Sequence, residues 1–414
     1  MSAGLADFTP FHSLAGGLMM ATSLHTMLSK LGLVLGISGF FHSTVSSTFK
    51  AVKGSSRDET ASKATSSSIF PLVAPYFTAG IFLGGAVLGM LRSRVEAGLR
   101  VSILDDISSS KTTSLVSMAA FGLLVGLGTK LGNGCTSGHF LCGLSRFSLR
   151  SLVATATFFG VAVLTHVSMA SASSIATSTF QSKLSSHLPA SFPQPDFLTL
   201  LALQTPALIY MNAAHLFGAT DASSSSETRK RKQVLAAKVM ALAVGTHFSF
   251  ALAISGMMRP SKVLGFLSLS PALVSSAAWD PSLAMVAIGG IIPASIAYLR
   301  KVRPKQDELR RRSSRLETKD KPAAKDVHLR PELSVAAPEW GTPTNPFKID
   351  AKLIIGSVLF GFGWGATGLC PGPALASLSS LGAQSISQGI SSGVAELVAF
   401  VAAMAAGGQM AASL

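Results

Sequence analysis

The feature that most constrains this chain is a series of stretches, each close to twenty residues long and nearly free of charge. They lie near 12–29, 70–91, 114–130, 151–172, 198–217, 234–253, 280–299, 351–366 and 389–412. A helix of about 20 apolar residues crosses the roughly 30 Å hydrocarbon layer of a bilayer, so the pattern predicts about nine transmembrane helices. Between them lie glycine-rich apolar pieces too short to cross, at 31–46, 135–148, 257–269 and 370–381. Backbone broken at membrane depth is tolerated only where it is buried in protein or lines a cavity, so these pieces predict half-helices or re-entrant loops. The expected fold is an all-α, polytopic membrane protein. Composition agrees: 48% of the 414 residues are hydrophobic and only 13% are charged, against about 25% in a soluble domain. A soluble enzyme, a disordered scaffold, a coiled coil and a disulfide-built secreted domain are excluded, the last by a count of three cysteines.

A net charge of +15 would suit a nucleic-acid partner, but the placement of the charge points elsewhere. Residues 300–330 hold twelve Lys/Arg against five Asp/Glu, and Arg229-Lys230-Arg231-Lys232 forms a second run. Both sit between apolar stretches, where the positive-inside bias puts basic residues on cytoplasmic loops facing anionic lipid. No nucleic-acid-binding motif accompanies them. Loops 229–233 and 300–330 are therefore expected on the cytoplasmic side of a multi-pass protein of the cell membrane. Residues 50–68, 179–196 and 219–233 read as solvated loops, and 300–350 as largely disordered. Met1–Pro10 lacks the basic start of a signal peptide, leaving insertion to the first span. The chain then divides into a first membrane repeat at 1–178, an entry to the second repeat with polar loops and one span at 179–233, and the second repeat at 234–414.

The repeats are visible as matched punctuation. Ile37-Ser38-Gly39 is echoed by Ile254-Ser255-Gly256, and Gly126-x-Gly128 with Cys135 by Gly361-x-Gly363 with Cys370. In each later pair the first glycine precedes the cysteine by nine residues. Internal symmetry of this kind, often an inverted repeat, marks many transporter folds whose substrate binds at mid-membrane between the halves.

The segment Leu131-Gly132-Asn133-Gly134-Cys135-Thr136-Ser137-Gly138-His139, continuing through Cys142 to Arg146, resembles the first signature of the YeeE/YedE sulfur-transport family. Ile254–Leu267, Trp279-Asp280-Pro281-Ser282-Leu283 and Phe360–Pro373 look like the family's second half. The resemblance implies an integral-membrane importer of inorganic sulfur compounds, thiosulfate above all, with cysteines along the substrate path. In one respect the chain departs from the pattern: some members carry a cysteine in the first short hairpin, and residues 1–134 here contain none.

All three cysteines fall within the two repeated motifs, although a chain with 24 Phe and 14 Met offers a structural thiol many other apolar places. Cys135 and Cys370, at equivalent positions, are the leading substrate contacts, with Cys142 a weaker third. On an α-helix Cys135 and Cys142 would share a face two turns apart, about 10.5 Å between Cα atoms, beyond the reach of a disulfide. Thiosulfate is a dianion with one soft sulfur, so its site needs polarizable or S–H groups together with helix N-termini for the oxygens. Gly134, Gly138 and Gly372 would let backbone approach closely, and Thr136 and Ser137 add hydroxyl donors. These glycines equally suit close helix packing. Lys130 and His139 could attract the anion, and a snorkelling lysine is the plainer reading of the first. Arg146, Arg150, Arg259 and Lys262 read as interface anchors. No zinc-like ligand spacing and no phosphate-binding loop is present, so no metal, cofactor or direct use of ATP is expected.

The leading function is transport of a small inorganic sulfur anion, most simply thiosulfate uptake, by a protein that is not an enzyme. Two alternatives stay open: a membrane thiol-redox protein that transfers sulfane sulfur on the same cysteines, with His139 as base, and a channel for another small solute.

Overall fold

In a computed structural model of the chain, the structure describes residues 8–52, 69–105, 114–174, 192–219, 225–275, 279–315, 328–333, 340–342, 349–389 and 393–413. The described residues are helical with short connections and no strands. Helices α1 (Pro10–Leu31), α2 (Ile37–Val52), α3 (Phe70–Met90), α4 (Arg92–Leu99), α5 (Leu115–Leu131), α6 (Thr136–Gly143) and α7 (Leu149–Ser174) form the first part. Then come α8 (Phe197–Leu203), α9 (Thr205–Leu216), α10 (Ser226–Ile254), α11 (Pro260–Leu267), α12 (Pro271–Ser275) and α13 (Ser282–Ala297). A π-helical turn at Tyr298–Val302 leads into α14 (Arg303–Arg315), and α15 (Ala351–Thr367), α16 (Pro371–Gln388) and α17 (Val394–Ala412) complete the chain.

Among the described residues, seven helical segments are long and apolar enough to cross a membrane, or eight if α5 and α6, bent 44° at their break, count as one. The ninth expected span, 12–29, is α1. Its 22 residues have the length, but histidines, serines and threonines lower its hydropathy. It accommodates them because it is packed inside the bundle: His12, Ser13 and Ser23 are fully buried and hydrogen-bonded to protein.

Glycine sets how closely these helices meet. On α5, Gly122 and Gly126 lie against the backbone of Phe400 and Met404 on α17; on α15, Gly361 and Gly365 lie against Phe158 and Ala162 on α7. Gly80 and Gly84 of α3 meet Leu242 and Thr246 of α10 in the same way. Each is a Gly-xxx-Gly pair on one helix face, the spacing that lets membrane helices pack backbone to backbone. A methyl group at any of these positions would sit inside the neighbour's main chain.

Several expectations for the loops are corrected. Arg229–Lys232 belong to the first turns of α10, where Ser225 caps Thr228 and Glu227 pairs with Arg231. Much of the start of 300–350 is ordered as α14, supported by i,i+4 ion pairs Arg303–Asp307 and Glu308–Arg312. Farther on, Glu332 and Leu333 donate backbone N–H bonds to Ser29 and Lys30, and Gly341 to Gly32, so this stretch docks on the C-terminal end of α1. Residues 316–327, 334–339 and 343–348 lie outside the described set, as do most of 50–68 and 179–191. Residues 370–381 are also no short half-helix: they open the 18-residue α16, which continues α15 as one long apolar segment, Ala351–Ser387.

Candidate functional site

Both repeated cysteines stand at breaks in a helix. Cys135 is the N-cap of α6 and Cys370 the N-cap of α16, each in extended backbone. Each preceding helix is stopped by local geometry: Gly132 closes α5, with Asn133 in the left-handed region (φ 56°), and Gly368 closes α15 at φ 69°. Pro371 then starts α16, where its missing N–H costs nothing. Two helix N-termini thus open beside the thiols: α6 presents the N–H groups of Thr136, Ser137 and Gly138, whereas α16 presents that of Gly372 alone, since Pro371 and Pro373 have none.

The breaks meet. Thr136 Oγ1 lies 3.6 Å from Cys370 Sγ, and Cys135 Sγ lies 3.3 Å from Ser137 Oγ. Cys135, Thr136, Ser137, Cys370 and Gly372 line one cavity of about 20 Å³. The rest of its wall is apolar and includes two residues that the sequence did not single out, Met20 and Met257. Their thioethers are polarizable, suiting a soft ligand; Met257 directly follows the Ile-Ser-Gly motif, which was the available signal. Such a volume holds about one water, so the cavity is closed around its thiols. Gly372 is needed for packing as well, since a Cβ there would lie 2.5 Å from Ile37 Cδ1.

Other candidates fall elsewhere. Gly134, Gly138 and His139 line a second cavity of about 180 Å³, together with Val34, Gly36, Gly39, Phe70, Asn133, Arg146, Ser148, Arg150, Ser151 and Gly341. His139 is held on both nitrogens, Nε2 by the Gly132 carbonyl at 3.1 Å and Nδ1 by Ser151 Oγ at 3.2 Å. Gly134 leaves room for that ring: a Cβ would stand 2.7 Å from it. His139 thus lines the larger cavity and not the one beside the thiols. Cys142 is buried but lines neither cavity. The α-helical reasoning that put it on the Cys135 face fails because α6 is wound as a π-helix, whose i→i+5 bonds widen the turn. Lys130 is half-buried in the last turn of α5 and also lines neither cavity. All three cysteines are free thiols, and among the described residues no His/Cys/Asp/Glu group could hold a metal ion.

Two expected interface anchors have a different place. Lys262 Nζ pairs with Asp280 Oδ2 at 2.9 Å, their side chains 2% and 4% exposed. Asp280 Oδ1 also accepts from the backbone and hydroxyl of Ser282, whose Oγ in turn accepts from Thr9 N–H. The Trp-Asp-Pro-Ser motif is thus a latch joining α11, α13 and the start of α1. Arg259 pairs with Asp105 at 3.1 Å, and Asp105 caps the N-terminus of α11 through Ser261 N–H at 2.8 Å.

Comparison with known proteins adds the family. Residues 9–165 match the model described as "Sulphur transport", and residues 236–330 and 339–413 match a family of unknown function (DUF6691). Two proteins of Xylella fastidiosa named "Probable transporter", from strains Temecula1 and 9a5c, are each 37% identical over 171 residues. That alignment covers 41% of this chain and 83% and 84% of the relatives. A shorter protein of strain Temecula1 with the same name is 68% identical over 37 residues, 9% of this chain and 27% of its own length. No solved structure matches. With the signature around Cys135 set in a multi-helix membrane fold, the chain belongs to the YeeE/YedE family of sulphur-transport membrane proteins.

Proposed function

We propose that this membrane transporter carries a small inorganic sulfur anion, thiosulfate being the best fit, past the thiols of Cys135 and Cys370. The observation that carries the reading is the convergence of two helix N-termini and two thiols on one cavity. Helix N-termini favour the oxyanion end of such a substrate. The thiols and the Met20 and Met257 thioethers favour its soft sulfur, and Thr136 and Ser137 supply hydroxyls beside the cysteines. The two cysteines come from equivalent positions of the duplicated motif, which supports a site at the junction of two related halves. At about 20 Å³ the cavity must widen to admit thiosulfate, so passage alternates between a closed and an opened state. Uptake of labelled thiosulfate into proteoliposomes containing the purified protein tests this. Saturable uptake above that of empty liposomes is expected, and uptake equal to the empty control overturns the reading.

A further inference from the structure

The larger cavity and the thiol cavity adjoin along a seam. Gly36 and Gly138 face the larger cavity, whereas Ile37 and Ser137, their chain neighbours, face the thiols. The Ile37 N–H donates to Ser137 Oγ at 3.1 Å directly across the division. Where the two chains pass, a Cβ on Gly138 would find Gly36 Cα at 3.5 Å, so nothing bulkier than glycine backbone stands there.

The chemistry of the larger cavity is one-sided. Arg146 and Arg150 both line it, with Asn133, Ser148 and Ser151, and none of its lining residues is acidic. Arg150 is held by Asp350 at 3.3 Å, and Asp350 also caps α15 through Leu353 N–H. Arg146 donates through Nε to the Cys142 carbonyl at 3.0 Å, and among the described residues no carboxylate pairs with it. The first turn of α2 opens at Gly36–Gly39 on the same cavity; its Ile37 N–H is taken by Ser137, which leaves the N–H groups of Ser38 and Gly39 at the positive end of the helix. Its volume of about 180 Å³ accommodates a tetrahedral oxyanion with part of its water shell, unlike the 20 Å³ beside the thiols.

We propose that this vestibule, with Arg146 as its principal charge, is a second anion site that takes small divalent oxyanions by their oxygens and is separated from the thiol cavity by the Gly36–Ile37/Ser137–Gly138 seam. Its role as a station on the transport path rests on the function proposed above; its chemistry as an oxyanion site does not. The vestibule offers charge and N–H donors but no soft group, so it accepts sulfate as readily as thiosulfate. Discrimination for the terminal sulfur begins only past the seam.

Sulfate is therefore the probe. Binding of labelled sulfate to the purified full-length protein is expected, weakened roughly tenfold or more in Arg146→Gln, as for a lost hydrogen bond to a charged ligand, and partly restored in Arg146→Lys. Ser148→Asp serves as the second variant, because aspartate keeps the cap that Ser148 Oγ gives Ser151 N–H while placing a negative charge in the vestibule; it should weaken sulfate binding to a similar extent. Sulfate binding undiminished in both Arg146→Gln and Ser148→Asp, or absent from the wild type, overturns the site. So does a Cys370→Ala protein that loses sulfate as completely as Arg146→Gln, which would put sulfate among the thiols. Thiosulfate uptake by the wild type is a separate measurement, so failure of the transport reading is distinguishable from failure of this one.

Discussion

Thr136 reaches across 3.6 Å to the sulfur of Cys370, joining the breaks of two helices whose residues lie 234 positions apart in the chain. The hydroxyl follows Cys135 directly, so it ties one thiol's helix to the other thiol's atom. If the cysteines engage substrate sulfur, Cys135→Ala and Cys370→Ala should each lower thiosulfate uptake tenfold to a hundredfold at unchanged protein level, the range of a lost bond to a charged ligand, about 1.5–3 kcal/mol. Normal uptake in both variants would make the thiols packing residues.

Thr136→Val removes the hydroxyl and keeps the shape. We expect a smaller loss than for either cysteine, and non-additivity when it is combined with Cys370→Ala, because residues in direct contact couple. A double-mutant cycle on uptake rates measures this; strict additivity would argue against a working Thr136–Cys370 contact.

The Lys262–Asp280 pair predicts a stability effect with a definite sign. Lys262→Met or Asp280→Asn alone leaves one buried charge without its partner and should destabilise the protein by about 3–5 kcal/mol. Joining Lys262→Met with Asp280→Asn should recover much of that loss, because no buried charge is then left and the asparagine oxygen still accepts from Ser282. Thermal unfolding in detergent reads both, and single variants as stable as the wild type would show that the pair is dispensable.

Gly134 and Gly372 should respond differently to alanine. A methyl at Gly134 meets the imidazole of His139, which is fixed at both nitrogens, whereas one at Gly372 meets the flexible end of Ile37. Gly134→Ala should therefore cost about 1–3 kcal/mol of stability. Gly372→Ala should mainly obstruct the thiol cavity, lowering uptake with a smaller change in unfolding temperature. Equal unfolding temperatures for Gly134→Ala and the wild type would refute the first expectation.

Topology gives a further check. The start of α10 and helix α14 should lie on one side of the membrane, since α10 and α13 separate them as two crossings. The three native thiols are buried, so impermeant thiol labelling of Ser225→Cys and Glu308→Cys in intact cells should leave both unmodified if that side is cytoplasmic. Modification of either would place it outside.

Spans and the positions of the paired cysteines were legible in the sequence because hydropathy and a repeated Gly-x-Gly…Cys spacing are local signals. What sequence could not carry was winding and partnership. The π-helical form of Thr136–Gly143 is announced by no residue in that stretch, and Cys142 lines neither cavity. The partners of His139, the Gly132 carbonyl and the Ser151 hydroxyl, are likewise set by the fold and not by the motif's spacing. Lys262 looked like an interface residue because its partner, Asp280, stands at the head of a different helix. The polarity of α1 lowered its hydropathy below that of the other spans, since burial against protein rather than lipid sets what that helix can contain.

The backbone contacts of α5 with α17 and of α15 with α7 also bear on how the molecule is made. The helix that ends at Cys135 leaves the ribosome long before α17, whose Phe400 and Met404 carbonyls cover its Gly122 and Gly126. Until then its glycine face has only lipid or a provisional neighbour. The glycine face of the helix that leads into Cys135 is thus completed last, when the far end of the chain inserts beside it.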